Sequence, residues 1–133
     1  MLRSFLYAMS LSVAGAVGAV PAAAQSLIGE YFTLIAPHDM FNSRGQRLTD
    51  WCAIIQQERA NYHRFGIRQE MDQGDPIFGS REARAAIAGN CVVGQGSEYI
   101  PAVLERGETR FLWIQIYGNG SFPAYILVRE GAG

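Results

Sequence analysis

The amino-acid sequence predicts an α+β fold, with a small antiparallel sheet of three to four strands, one main helix and one short helix. Segments rich in β-branched and aromatic residues lie near both ends of residues 25–133. Between them, apolar residues recur at helical spacing over residues 51–65. Strands at both ends with helices between them are typical of an α+β domain, and we expect the main helix to cover one face of the sheet.

The first strand is predicted over residues 27–36, which are rich in β-branched and aromatic side chains and stop at Pro37. Residues 38–48 show no clear hydrophobic period. They contain Asn42 and Gly45, which are typical of turns. We therefore expect a loop between the first strand and the main helix.

The main helix is predicted from Trp51 to Phe65. Thr49 or Asp50 can cap it, because a side-chain oxygen at that position accepts a hydrogen bond from an unpaired first-turn N–H. Gly66 is expected to end it, since glycine enters the left-handed cap conformation at little cost.

A short second helix is predicted from Ser80 to Ala88, ended by a Gly-Asn pair. Three strands are then expected over residues 99–104, 110–117 and 124–129, separated by glycine-containing turns. Pro101 has no N–H for a sheet ladder. The strand over residues 99–104 is therefore expected at an edge of the sheet, or broken.

Residues 1–24 have the order of a secretory signal peptide. Arg3 supplies the positive charge, an apolar stretch follows from Phe5 to Val20, and three alanines precede Gln25. The alternative, a transmembrane anchor, needs about 20 predominantly apolar residues, whereas serines, glycines and Pro21 interrupt this run. We expect cleavage and export to a periplasm or the medium, leaving residues 25–133 as a single small globular domain.

The charge pattern argues against a nucleic-acid partner. Residues 25–133 carry ten arginines, no lysine and twelve acidic residues, with no long block of either sign. A nucleic-acid site needs a basic surface that displaces counterions from the phosphate backbone. No segment after the signal peptide is long and apolar enough to predict a membrane span.

Cys52 and Cys91 are the only cysteines, and in an exported chain an even number predicts a disulfide. Their bond would close a loop of about 40 residues, for which chain entropy gives roughly 4 kcal/mol of stabilisation at most. The alternatives are two buried thiols or a redox-active pair. The redox alternative usually requires C-x-x-C spacing, which the sequence lacks.

No combination of residues predicts a catalytic site. Cys52 and His63 lie eleven positions apart on one predicted helix, which separates them by about 16 Å. His38, Asp39 and Ser43 share one short loop, and the chain has no G-x-S-x-G motif.

No metal or cofactor is predicted either. The two histidines and two cysteines lack the spacing of zinc ligands. Asp72 and Asp75 flank a glycine, but they do not match the register of a calcium-binding EF-hand loop.

Arg59, Arg64 and Arg68, around the end of the main helix, are candidate ligands for a carboxylate or a phosphate. Arginine donates in a planar fork, and cations are favoured at a helix C-terminus. The alternative, which the nearby acidic residues favour, is a surface network of ion pairs that each contribute little to stability.

The predicted strand over residues 110–117 is apolar on both faces. Alternate side chains of a strand point to opposite faces, so one face carries Leu112, Ile114 and Ile116, and the other carries Phe111, Trp113 and Tyr117. Tyr125, on the next strand, can join the aromatic face. Either further elements cover this face as core, or it is open as a contact surface.

The functional hypothesis is an exported, non-enzymatic binding or accessory module whose partner is another envelope or secreted protein. One alternative is a small-ligand carrier, which needs an apolar pocket of roughly several hundred Å³. The other is a small exported enzyme that uses His38 and His63 with acidic loop residues. The sequence indicates no oligomeric state.

Overall fold

A computed structural model describes residues 24–131 of the chain, together with Gly15 and Gly18. Apart from Gly15, Gly18 and Ala24, the predicted signal peptide lies outside the described residues. In chain order, the elements are β1 (Ser26–Ile35), a 3₁₀ turn (Pro37–Met40), α1 (Trp51–Ala60), a π-helical turn (Asn61–Phe65), α2 (Arg81–Ala85), β2 (Cys91–Val93), α3 (Ile100–Glu105), β3 (Arg110–Asn119) and β4 (Phe122–Glu130).

The four strands form one sheet in the order β1-β3-β4-β2. The β1–β3 and β3–β4 pairs are antiparallel, whereas β2 runs parallel to β4. The α+β class is therefore confirmed, but the prediction of a purely antiparallel sheet was wrong. The chain passes through α3 and β3 between β2 and β4, and this long connection lets β4 return alongside β2 in the same direction.

The segment around Pro101 is helical, so the predicted strand over residues 99–104 was wrong. Pro101 lies in the first turn of α3, where a missing N–H costs nothing. Ile100, Val103 and Leu104 are buried at the i, i+3 and i+4 spacing of a helix face. Packing of that face outweighs the β-branched character of the segment.

The predicted main helix is confirmed. The Asp50 side chain accepts a hydrogen bond from the Cys52 N–H at 3.1 Å, so Asp50 is the cap. The last turn, Asn61–Phe65, is π-helical, and Gly66 ends it in the left-handed conformation at φ 65°. The predicted cap of the second helix is also confirmed, because the Ser80 hydroxyl accepts from the Ala83 N–H at 3.1 Å.

The core lies between one face of the sheet and the helices. Alternate residues of the strands supply one side of it, and α1 and α3 supply half of the buried residues on the other. The strand contribution is Tyr31, Ile35, Leu112, Ile114, Ile116, Ile126 and Val128. This arrangement makes the two faces of the sheet unequal, with one enclosed by helices.

The Cys52–Cys91 disulfide is present, with the two Cα atoms 5.7 Å apart. It joins the first turn of α1 to the first residue of β2. The bond therefore ties the helical layer to the edge of the sheet, and it is compatible with an oxidising environment. Among the residues that the structure describes, no helix has the length and apolar character needed to cross a membrane.

Candidate functional site

The sheet face turned away from the helices carries an unusual concentration of aromatic side chains. We call it the outer face. Most of its residues are half-buried, and none belongs to the core. Its members are Glu30, Phe32 and Leu34 from β1, Phe111, Trp113, Gln115 and Tyr117 from β3, Tyr125, Leu127 and Arg129 from β4, and Val92 from β2.

Strand register brings these residues into rows across the sheet. Phe32 lies opposite Trp113, which lies opposite Arg129. In the next row, Glu30 pairs with Gln115, which pairs with Leu127. Because each row draws on three strands, the face exists only when the sheet is fully paired.

The aromatic rings of the outer face lie nearly parallel to one another. The Phe32 ring stacks on Phe111 at a centroid distance of 5.7 Å and on Trp113 at 6.0 Å. Tyr117 and Tyr125 stack at 5.1 Å with an angle of 5° between their planes. Their partial burial therefore comes in large part from one another.

Two glycines allow side chains of the outer face to lie close to the backbone. A Cβ at Gly131 would be 2.5 Å from Cδ1 of Phe111, and a Cβ at Gly94 would be 2.6 Å from Cγ of Arg129. Both distances are too short for real atoms. A side chain at either position would displace the residue that lies over it.

Polar groups lie between the two aromatic clusters. The Trp113 indole N–H donates to the Glu30 carboxylate at 3.1 Å, and Arg129 Nε donates to the Gln115 side-chain oxygen at 3.4 Å. These bonds fix the orientation of the side chains. The remaining oxygen and nitrogen atoms of the Glu30, Gln115 and Arg129 side chains can form hydrogen bonds with a bound partner.

The structure thus brings together four residues predicted for a binding site, namely Phe111, Trp113, Tyr117 and Tyr125. Sequence reasoning missed Phe32 and Leu34, although the alternation of β1 already separates them from buried Tyr31 and Thr33. Their position beside β3 depends on a pairing between distant segments.

Residues 69–73 form a strap along the free edge of β1. The Gln73 N–H donates to the Phe32 carbonyl at 2.9 Å, and its side-chain oxygen accepts from the Phe32 N–H at 3.2 Å. Asp72 Oδ1 accepts from the Leu34 N–H at 2.9 Å. A groove of about 460 Å³ lies between the strap and the outer face, lined by Phe32, Phe111 and exposed Met71.

Arg64 and Arg68, which were also predicted to bind a ligand, lie around the end of the main helix and do not adjoin the outer-face rows. Arg68 packs over the Tyr62 ring at 4.0 Å and donates to the Tyr62 carbonyl at 3.1 Å. Arg64 lies 5.0 Å from the centroid of Phe65. Among the described residues, neither arginine forms an ion pair, so the predicted acidic network does not include them.

Arg59, the third predicted arginine, forms the ion pairs of this region, and its side chain is fully buried rather than on the surface. Its guanidinium donates to both carboxylate oxygens of Glu58 and, at 2.9 Å, to Asp75. It also lies 3.8 Å above the centroid of the Tyr31 ring. The cluster connects α1 to the 72–78 segment and to the edge strand β1.

The pKa values of the two buried acids in this cluster shift in opposite directions. Burial raises the pKa of Glu58 to about 7, although hydrogen bonds from Arg59 and Thr33 oppose the change. Burial also acts to raise the pKa of Asp75, but hydrogen bonds from His63, Arg59 and backbone N–H groups outweigh it and lower that pKa.

The Thr33 hydroxyl lies between two carboxyl groups. It is 2.7 Å from Glu58 Oε1 and 3.0 Å from Asp72 Oδ1, and it has one proton to donate. The hydroxyl therefore links α1 to Asp72 beside the edge strand β1.

The two histidines contact different partners. His63 Nε2 lies 2.7 Å from Asp75 Oδ2, and His38 Nε2 lies 2.7 Å from Gln69 Nε2. His38 also lies 3.7 Å from Asp39, whose carboxylate accepts from the Asn61 amide. No serine, threonine or cysteine side chain is recorded in hydrogen-bond contact with either histidine in the described part of the chain.

Within residues 24–131, no group of three or more histidine, cysteine, aspartate or glutamate side chains is arranged to hold a metal ion. No protein-family model, no curated protein and no solved structure matches this chain.

Proposed function

We propose that this chain is an exported, non-enzymatic binding module that contacts another envelope or secreted protein through the outer face. The observation that carries the proposal is a group of five stacked aromatic side chains on a sheet face that contributes nothing to the core, namely Phe32, Phe111, Trp113, Tyr117 and Tyr125. Aromatic patches of this kind are typical of interaction surfaces.

The chemistry of the outer face favours a protein partner. Tryptophan and tyrosine provide large apolar contacts and lose little conformational entropy when they are ordered, so they dominate binding energy at protein interfaces. Here stacking already fixes the rings, which lowers that entropy cost further. Glu30, Gln115 and Arg129 supply hydrogen-bonding groups among the rings.

The rigidity of the sheet suits the same role. The disulfide ties the sheet edge to α1, and the outer face draws its side chains from regular strands rather than loops. A preorganised surface binds with a smaller entropy loss than a flexible one.

The non-enzymatic part of the proposal rests on the cluster around the histidines. Asp75 holds His63 within a set of buried hydrogen bonds that also contains Arg59 and two backbone N–H groups. This arrangement accounts for the His63–Asp75 contact as a stabilising one. An enzyme that uses His38 and His63, and a small-ligand carrier, stay alternative predictions.

The proposal is tested by site-specific photocrosslinking in the native host. A photoreactive phenylalanine analogue is placed at Trp113 or Tyr125 in the outer face, and at exposed Glu105 on the helical layer as the control. We expect one discrete crosslinked protein from the two outer-face positions and none from the control. Equal crosslinking from all three positions, or none from Trp113 and Tyr125, contradicts the proposal.

A fluorescence experiment on the purified pair provides the second test. The chain has two tryptophans, so Trp51→Phe leaves Trp113 as the only reporter. Adding the partner protein that crosslinking identified should shift the Trp113 emission to shorter wavelength, because binding buries the indole ring. Trp113→Ser should abolish binding while the domain stays folded; global unfolding of this variant would show that the ring is needed for the fold.

A further inference from the structure

The helical layer, on the other side of the core from the outer face, carries a groove of about 450 Å³ between α1 and α2. From α1 and the π-helical turn that follows it, the groove is lined by one stripe of side chains, namely Ala53, Gln56, Gln57, Ala60 and Arg64. From α2, it is lined by Arg81, Arg84 and Ala85. The volume lies in the range of about 300–1,000 Å³ that is usual for small-molecule sites.

The charge of this groove is distinctive. Three arginines and two glutamine amides line it, and no aspartate or glutamate does. The chain as a whole carries a formal net charge of −1, so the positive charge is a local concentration. Among the described residues, Arg64 and Arg81 have no ion-pair partner.

Arg84 differs from the other two because its guanidinium is fixed. It donates to the Phe78 carbonyl at 3.0 Å and to the Gly79 carbonyl at 3.1 Å, and the residue is 8% exposed. A buried guanidinium of this kind presents its remaining N–H groups in a set direction. Planar forks of N–H donors match the oxygens of a carboxylate or a phosphate.

The groove continues into an apolar extension of about 350 Å³. The two share Ser43, Gln57 and Phe65 as lining residues, and the extension adds Phe41 and Ile67. Phe41, Phe65 and Ile67 are each about 45% exposed, which is unusual for large apolar side chains that lie together. No acidic residue lines this part either.

We propose that this combined groove binds a small amphiphilic anion. Its carboxylate or phosphate head pairs with Arg64, Arg81 and Arg84, and its apolar body covers Phe65 and Ile67. The arginines supply charge-assisted hydrogen bonds for the head, and burial of the body removes apolar surface of both molecules from water. This proposal is independent of the protein partner proposed for the outer face.

The test is an NMR titration of the processed, ¹⁵N-labelled chain at constant ionic strength, so that general screening stays the same. The probes are hexanoate, hexyl phosphate, acetate and hexanol. We expect saturable shifts of the arginine Nε–H signals of Arg64, Arg81 and Arg84. Hexanoate should bind about tenfold more tightly than acetate, which lacks the body, and about tenfold more tightly than hexanol, which lacks the charge.

Variants separate the two parts of the groove. Arg64→Gln with Arg81→Gln should reduce hexanoate affinity toward that of hexanol, with Arg84 as the remaining cation. Arg106→Gln, at an exposed arginine paired with Glu108, should leave hexanoate affinity unchanged. Ile67→Ser should reduce hexanoate affinity toward that of acetate. If Ile67→Ser does not fold, Phe65→Ser takes its place with the same expected result. Phe122→Ser is the control, because Phe122 is 61% exposed and lines neither groove.

A comparison of hexanoate with hexyl phosphate shows which head the site prefers, and tighter binding of either supports the proposal. Linear shifts of all exposed arginines would overturn it, and so would equal affinities for hexanoate and hexanol. Trp113→Ser should leave hexanoate binding unchanged. Loss of binding in that variant would place the probe on the outer face and would also overturn the proposal.

Discussion

Gly131 lies directly against the ring of Phe111. A Cβ on Gly131 would be 2.5 Å from Cδ1 of that ring, and the Gly131 N–H donates to the Phe111 carbonyl at 2.8 Å. The glycine therefore holds the end of the chain beside β3 while leaving space for the ring. This contact links the C-terminal end of the sheet to the geometry of the outer face.

Gly131→Ala should displace the Phe111 ring. The added methyl cannot occupy its position unless the ring moves, and we expect a stability loss of about 1–2 kcal/mol from the strained contact. Partner binding through the outer face should weaken as well. Urea unfolding and the ring-proton contacts of Phe111 in NMR spectra measure the two effects.

The matched control is the same substitution in a Phe111→Ala background. Without the ring, the Gly131→Ala change should cost much less, so the double-mutant cycle should show a clear coupling energy. An unchanged cost would mean that the contact with the Phe111 backbone, and not with its ring, determines the effect.

Loss of the disulfide should destabilise the domain. The Cys52→Ser and Cys91→Ser double variant removes a link across 39 positions, for which we expect a loss of about 2–4 kcal/mol. Urea unfolding of this variant should coincide with that of the reduced native chain. A native chain whose unfolding is insensitive to reductant would contradict the prediction.

Stability should fall as the pH rises from about 5 to 8. Burial raises the pKa of Glu58 to about 7 from an ordinary value of 4.5, so the folded state holds a proton that the unfolded state has lost in this interval. Raising the pH removes that proton at a cost on the order of 1–3 kcal/mol. Urea unfolding at several pH values measures the slope of the free energy of unfolding against pH.

Glu58→Gln is the variant that isolates this effect, because Arg59, Asp72, Asp75 and His63 remain in the same cluster. The slope between pH 5 and 8 should become flatter in the variant than in the native chain. An identical slope in both would assign the pH dependence to another group.

Asp75→Asn should destabilise the domain in a pH-dependent way. The change leaves buried Arg59 with one carboxylate fewer, and we expect a loss of about 3 kcal/mol at pH 7. Because the pKa of Asp75 is lowered in the folded state, its stabilising charge is present above about pH 4 and is lost as the pH falls further. The stability difference between the native chain and the variant should therefore shrink as the pH falls below about 4.

Unfolding at pH 7 and at pH 2 compares the two proteins, with Glu105→Gln as the control at an exposed acid. The control should differ little from the native chain at both values. A constant difference between the native chain and Asp75→Asn at both pH values would contradict a charge-based role.

Elements with strong local signals could be predicted from the sequence. Asp50 and Gly66 mark the ends of the main helix by capping chemistry that acts within one turn, and both predictions are confirmed. β3 was predicted as a strand between glycine-containing turns, and its aromatic side lies on the outer face. These features depend on residues close together in the chain.

The errors involve interactions between distant segments. β2 has three residues, too few for a period, and its parallel pairing with β4 depends on the intervening helix and strand. The helix at Ile100–Glu105 is favoured by packing of its buried face, which its β-branched residues do not indicate. The contribution of Phe32 to the candidate site likewise requires the β1–β3 pairing.

The strap of residues 69–73 protects the edge strand β1 from pairing with strands of other chains. An uncovered edge strand is a template onto which other chains add strands, and this leads to aggregation. Gln73 and Asp72 already occupy backbone groups of Phe32 and Leu34 along β1, and the opposite edge strand is only three residues long. The sheet can therefore carry an aromatic outer face while leaving few unpaired backbone groups at its edges onto which other chains could add strands.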